Sequence, residues 1–278
     1  MAPAYALPAP QPVPKQEHTV ASQLIIQAMD RVPMVSPGDN LQQLVETSLV
    51  DNQVCLQNGD ILVLAQKIVS KSEGCLVDLN QVEPSLEALA VAKKVDKDPR
   101  LVDVILSQSK ALIRQVKGVL ITKHIRGWVM ANAGIDASNV HSKEGQENVL
   151  LLPKDPDHSC KVLRDGLYQR LGVKVAVIIN DSFGRPWRLG TTGVAIGAAG
   201  LPSLWDRRGD LDLFGRELLT SQQAVADEIA GAASLLQGQA DEGRPIVLVR
   251  GLKFPANTEL ENCPASTLVR DVSEDLFR

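Results

Sequence analysis

The chain has 278 residues, 44% of them hydrophobic and 22% charged, and a formal charge of −4. That acidic balance, with no basic run, excludes a dedicated nucleic-acid binder, which needs a cationic face to displace counterions from phosphates. No apolar run approaches the roughly 18 residues that span a bilayer, and the four cysteines, Cys55, Cys75, Cys160 and Cys263, form no CxxC pair, which excludes a zinc ribbon.

Residues 1–17 are rich in Pro and Ala and lack the apolar core of a secretory signal. Residues 1–20 are expected to be a flexible tail, either a bare extension or a proline-rich docking segment. The domain is expected over residues 21–278, as one unit or two intimately joined subdomains. An apolar segment over 24–29 leads to Pro33, and Asp39 stands where the N-cap of a helix through Leu41, Leu44 and Val45 belongs. Gly59-Asp60 turns the chain into residues 61–65, an unbroken apolar run that predicts a strand buried on both faces. Lys67 and Lys71 follow directly. Either they reach an anionic ligand at the carboxyl end of a sheet, or they snorkel at a strand exit.

Residues 85–95 and 99–112 read as helices, the second with Asp98 as N-cap and Pro99 in its first turn. Strands over 119–122 and 128–131, joined near Arg126-Gly127, deliver the stretch Asn-Ala-Gly-Ile-Asp-Ala-Ser-Asn at 132–139. A helix over 160–171 stops at Gly172. A buried strand over 175–179 then delivers Asn180-Asp181-Ser182. Helical periodicity runs through Leu218, Val225, Ile229, Ala233 and Leu236 to Gly238, and a last strand over 246–249 ends at Arg250-Gly251. There is no internal repeat. Strands and helices mixed in this way, with only 3% aromatics to fill the interior, predict an α+β (mixed α/β) fold with an aliphatic core. Reduced thiols and the absence of a signal predict a cytoplasmic protein that does not engage a membrane.

Among chemistry-bearing motifs, GxxxxGK[ST] is absent. Gly238 to Gly243 comes near it, but Arg244-Pro245 replaces the Lys-Ser/Thr pair and the segment precedes a strand, where a P-loop follows one. GxGxxG, GxSxG and HExxH are also absent. What remains is Asp136 and Asp181, each placed after a strand among small or polar residues. Two converging carboxylates hold a divalent ion against phosphate oxygens, and the Ser182 hydroxyl adds a hard oxygen ligand. Each aspartate taken singly reads as well or better as a helix cap or the opener of an Asx-turn. Arg185-Pro-Trp-Arg188 and Asp206-Arg207-Arg208 are the densest cationic spots, suited to an anion or simply solvated. The four histidines, His18, His124, His141 and His158, show no ligand spacing.

Five stretches taken in order, GDILVLAQKIVSKSEG (59–74), NAGIDASN (132–139), VIINDSFGRPWRLGTTGVAIG (177–197), DLFGREL (212–218) and ADEIAGAASLLQGQADEG (226–243), make the chain resemble the coenzyme F420-0:L-glutamate ligase family. The resemblance covers residues 24–250. It implies an intertwined homodimer with the active site near the subunit interface, small-molecule substrates (F420-0, L-glutamate and GTP), and a divalent metal, Mg²⁺ or Mn²⁺, with a monovalent cation as a further cofactor. By the same resemblance, Asp136 and Asp181 bind the divalent ion, and Ser182 and Gln239 match ligands of a second metal, where a neutral amide leaves the site less anionic than a carboxylate. GTP contacts are implied for Val32, Pro33, Met34 and Val35, for Gln66, Lys67 and Lys71, for Asn139, and for Gln237, Gly238, Gln239, Ala240, Asp241, Glu242, Gly243 and Arg244. Arg185 or Arg188 is expected to face an anionic group of the deazaflavin or of glutamate. The implied reaction is γ-linked addition of glutamate through an acyl phosphate. The same chemistry on another carboxylate acceptor, or a non-catalytic deazaflavin or nucleotide binder, are the alternatives.

Overall fold

The computed structural model describes residues 23–140, 145–254 and 263–275, and the expected tail lies outside them. β1 (Ile25–Ala28) is followed by α1 (Leu41–Asp51). The cap of α1 is Asn40, whose side chain accepts from Gln43 N; Asp39, the expected cap, instead accepts from Ser36 N and closes the preceding turn. β2 (Ile61–Ala65) passes without a loop into α2 (Gln66–Ser72), so Lys67 and Lys71 ride on a helix rather than trailing from a strand. After β3 (Leu76–Asp78), α3 (Leu86–Val95) starts on the hydroxyl of Ser85, which accepts from Ala88 N. α4 (Pro99–Ser107) starts on Asp98 and Pro99 as expected, but residues 109–112 belong to β4 (Ser109–Val116). There the ladder with β5 (Val119–His124), closed by a turn at Gly118 (φ 81°), outcompetes local helical preference.

β6 (Val129–Ala131) completes a three-stranded meander, and β7 (Asn148–Leu150) pairs with β3. α5 (Pro156–Leu171) begins ahead of the expected residue 160, because Asp155 caps it and Pro156 occupies its first turn; it ends at Gly172 (φ 69°). β8 (Ala176–Arg185) does not stop at residue 179. It carries Asp181 inside a long hairpin with β9 (Arg188–Ala199), whose ladder holds the polar residues extended. β10 (Trp205–Asp206) and β11 (Gln222–Gln223) form a small ribbon, followed by α6 (Val225–Gln237) and β12 (Ile246–Arg250). Leu218 lies outside α6, its N–H bonded to Asp210 O between the two ribbon strands.

The main sheet has the order β1-β12-β2-β8-β9, with β2 and β8 the parallel pair. Alternation along each strand sorts its side chains. Leu62, Leu64, Val177, Ile179 and Leu248 pack beneath α1, α2 and α5 with Val45, Val69, Leu163 and Leu167. Ile61, Val63, Ile178, Val247 and Val249 pack against Val225, Ile229 and Ala233 of α6. Both faces are covered, which is why these strands read as continuous apolar runs. A Cβ on Gly197 would lie 2.5 Å from the Pro156 backbone, and one on Gly193 would lie 2.4 Å from Ala230 O. These two glycines let β9 touch α5 on one side and α6 on the other. A separate cluster, with Val91, Val102, Ile105 and Leu120 among its members, joins α3 and α4 to β4 and β5, while Met130 of β6 packs into the main core.

Asp60, 1% exposed, receives Arg250 bidentately at 2.7 and 2.8 Å and accepts from Gln57 N at 2.7 Å. Asp60→Ala leaves a guanidinium without its partner and should lower stability by about 3 kcal/mol. A urea midpoint shifted at unchanged slope would show this, and a midpoint equal to the parent's would refute it.

Candidate active site

β2 ends at Ala65, opposite Asn180, while β8 runs on with only β9 beside it. A cleft of about 480 Å³ opens at that step, walled by α2, the loop after Val32, residues 136–139, and the loop that links α6 to β12. Ile179 pairs with Gly197 and Asn180 with Ala195, so the bulge residue, Ile196, is on β9 and the alternation of β8 is unbroken. Asp181 therefore shares the face of Ile179 and Phe183, toward α2, whereas Asn180 and Ser182 share the face of Ile178, toward α6.

The second carboxylate arrives by a tight turn. Asn132, Ala133 and Gly134 are all left-handed (φ 52°, 53° and 70°), and a Cβ on Gly134 would lie 2.7 Å from Met130 Cε. Two non-glycine residues in that region store strain. Mutual backbone bonds between Asp136 and Leu150 hold the exit of the turn. The carboxylate of Asp136 accepts from Ser138 N at 2.7 Å and meets Lys67 Nζ at 2.6 Å, and the same ammonium donates to Ser138 Oγ at 2.9 Å. Lys71 Nζ donates to Asn139 O at 2.8 Å, and Asn139 Nδ2 to Ala240 O at 3.0 Å. Asp136 is thus an Asx-turn acceptor and a lining group of the cleft at once, while Asp181 opens no turn.

The two carboxylates differ in proton affinity. Burial, reinforced by the charge of Asp136, pushes the Asp181 carboxyl up to about 6 against the opposing pull of Ser182 N–H and Lys67. Burial also acts to raise Asp136, but the hydrogen bonds from Lys67 and Ser138 outweigh it and leave that group below its ordinary value. Burial and the neighbouring Lys67 lower the ammonium of Lys71. One shared ammonium is too little cation for two carboxylates.

A divalent ion fits this deficit. Among the described residues no three His, Cys, Asp or Glu side chains converge on a metal position. The donors at hand are hard oxygens: Asp136, Asp181, the Ser182 hydroxyl and the Gln239 amide, whose Nε2 donates to Ser182 Oγ at 2.9 Å. Such a set suits an ion that completes its shell with water or phosphate oxygens. Two other clefts, of about 610 and 590 Å³, lie around the start of α5. Carboxylates lining them are already engaged, Glu73 by Ser159 and Asp157 by Ala198 N and Ala265 N.

Val32, Pro33, Met34, Val35, Gln66, Lys67, Lys71, Asp136, Asn139, Asp181, Ser182, Gln237, Gly238, Gln239, Ala240, Asp241 and Gly243 all line the 480 Å³ cleft. Glu242 and Arg244 do not: Glu242 accepts from Ala240 N and Arg244 pairs with Asp30 at 2.7 Å. Nor are Arg185 and Arg188 brought there, since they pair across the exposed tip of the β8–β9 hairpin. Sequence reasoning missed Ser138, Ser234 and Asn180 as lining residues. Asn180 and Ser138 sat inside the motifs already singled out, but no spacing rule marks which neighbour of an aspartate turns inward.

Residues 30–251 match the family model described as F420-0:Gamma-glutamyl ligase. The chain is 41% identical to a protein named Coenzyme F420:L-glutamate ligase from Methanocaldococcus jannaschii, over 89% of this chain and 94% of that one. Proteins of the same name from Methanopyrus kandleri and Methanothermobacter thermautotrophicus are 46% and 43% identical, over 88% and 90% of this chain and 93% and 97% of theirs. No described helix is long and apolar enough to cross a membrane.

Proposed function

The chain belongs to the F420-0:gamma-glutamyl ligase family, enzymes that form carbon–nitrogen bonds, and from that premise we propose that it joins L-glutamate to the F420-0 deazaflavin precursor in a GTP-driven reaction. The observation that carries the reading is the union in one cleft of two carboxylates of unequal proton affinity, two lysines and the loop at 238–243. In this reading Lys67 and Lys71 meet the nucleotide phosphates, and the loop and Asn139 hold its remainder. A terminal carboxylate of F420-0 attacks the γ-phosphorus, GDP leaves, and an acyl phosphate forms. The amino group of glutamate then attacks the acyl carbon, phosphate departs, and the amine gives up a proton. A divalent ion held by Asp136 and Asp181, and a second held by Ser182 and Gln239, would supply charge neutralisation at the phosphates. The chain's own contribution is orientation: Asp136 holds Lys67, and Asp181 stands opposite on a strand that cannot slide.

Incubation with F420-0, GTP, L-glutamate and Mg²⁺ or Mn²⁺, followed by mass spectrometry, should show a gain of one or more glutamyl units. Absence of that gain while GTP demonstrably binds overturns the reading. Lys67→Met releases Asp136 from its internal counterion and removes a phosphate contact. Calorimetry on the nucleotide-free variant should show Mn²⁺ bound about tenfold more tightly and GTP about tenfold more weakly, each near 1.4 kcal/mol.

We also read the exposed apolar side chains of the hairpin tip and ribbon as the contact for a second copy. Trp187 and Leu189 are 93% and 99% exposed, and Leu213, Phe214 and Leu219 are exposed as well, large apolar side chains of the kind that mark interaction surfaces.

A further inference from the structure

We propose that Asn180 is a positioning residue for this reaction: through Gln237 it locks the loop at 238–243 to the strand that carries Asp181 and Ser182. Gln237 is the last residue of α6, and its Nε2 faces two carbonyls, Val63 O at 3.3 Å and Pro245 O at 3.4 Å. An amide oxygen cannot sit between two acceptors, so the NH₂ must, and Oε1 is turned toward Asn180. Asn180 must then present its own NH₂, which it does at 2.6 Å. The same logic strands the other end of its amide. Asn180 is 4% exposed, and its Oδ1 meets no hydrogen-bond donor among the described residues.

An aliphatic residue would fill this space without supplying the N–H that Gln237 Oε1 accepts at 2.6 Å. The neighbouring strand makes room for the asparagine. A Cβ at position 193 would come within 2.7 Å of Asn180 Oδ1, and that position is glycine.

The lock has a second point of attachment. Two residues along the same face of β8, Ser182 receives Gln239 Nε2 at 2.9 Å. Residues 180 and 182 are thus joined to 237 and 239, with Asp181 between them on the opposite face. Displacement of the loop along the strand breaks both bonds, so the nucleotide-facing loop and the carboxylate keep one relative position. On its outer side the loop meets Asn139 through Ala240 O. Asn180 is the inner anchor.

The kinetic arm of the test rests on the ligase reading; the exchange arm does not. In Asn180→Ala, kcat should fall about 100-fold while the Kd for GTP, measured by calorimetry, moves by less than about threefold, the signature of lost alignment rather than lost binding. Gln237→Ala should behave alike, and the double variant should be no worse than either single one. Hydrogen exchange in residues 181–185 and 238–243 should accelerate together in each. A folded Asn180→Ala enzyme with parental kcat, losses that multiply in the double variant, or exchange that rises in one segment alone would each overturn the proposal. Should Asn180→Ala not fold, Asn180→Ser, too short to span to Gln237, carries the same expectations. If the parent adds no glutamate, the ligase reading falls and the exchange comparison still decides for or against the lock.

Discussion

Asp181→Asn is expected to lose turnover by about 10³-fold, as removal of a preorganised electrostatic group does, and yet to be at least as stable as the parent when no metal is present. The sign follows from the carboxyl's proton affinity. Its value is about 6 in the folded chain against 3.8 in the unfolded one, so the folded state holds the extra proton between those limits. The favourable contribution is complete below about pH 4 and is lost as pH rises through 6; at neutral pH the carboxylate is then a burden of up to about 3 kcal/mol, less where the cleft admits water. Asparagine carries no charge to be desolvated. Calorimetric melts in chelator should therefore show the variant level with or above the parent above pH 6 and the two converging near pH 4. Mn²⁺ should raise the parent and leave the variant nearly unmoved. A variant clearly less stable than the parent in chelator at pH 7.5 would show that burial is not what raises this group.

Gly193→Ala is expected to lower stability by about 3 kcal/mol, the upper part of the range for overpacking a close contact. The intruding Cβ would sit 2.4 Å from Ala230 O and 2.7 Å from Asn180 Oδ1; the first is helix backbone and cannot swing aside. Gly193 pairs with Ser182, so the same displacement moves a cleft residue, and activity should fall beyond what unfolding explains. Gly184→Ala is the control on the same hairpin: nothing lies within 4 Å of its would-be Cβ, and the change should stay within about 0.5 kcal/mol. Equal urea midpoints for the two variants would refute the close approach of β9 to α6.

Where structure is set by a few neighbouring residues, it was legible. Residues 61–65 and 246–249 are buried strands because nothing in them is polar, and Ser85, Asp98 and Gly172 mark helix ends by their own side chains or lack of one. Legibility failed where distant pairing decides. Asn180-Asp181-Ser182-Phe183-Gly184-Arg185 is composed of turn formers, yet β9 holds it extended. Residues 109–112 fit a helix face, yet β5 takes them. The site divides in the same way. Asp136 and Asp181 stand out as lone carboxylates after apolar strands; the inward turn of Asn180 depends on an uninterrupted β8 and a bulge placed in β9. Arg185 and Arg188, expected from their charge to face an anionic group of the deazaflavin or of glutamate, stand at the hairpin tip and do not line the cleft.

The two carboxylates hang from differently cored parts of the molecule. Asp136 follows a contiguous segment, α3 to β6, in which α3, α4 and β5 share an apolar cluster of their own while Met130 of β6 joins the main one, and Asp181 belongs to the main sheet. Any ligand that grips both adds a clasp to the packing of Trp128 and Met130 against the main core. Its binding free energy resists the parting of segment and sheet, so occupancy of the cleft is also a brake on sub-global unfolding and on proteolysis that begins there.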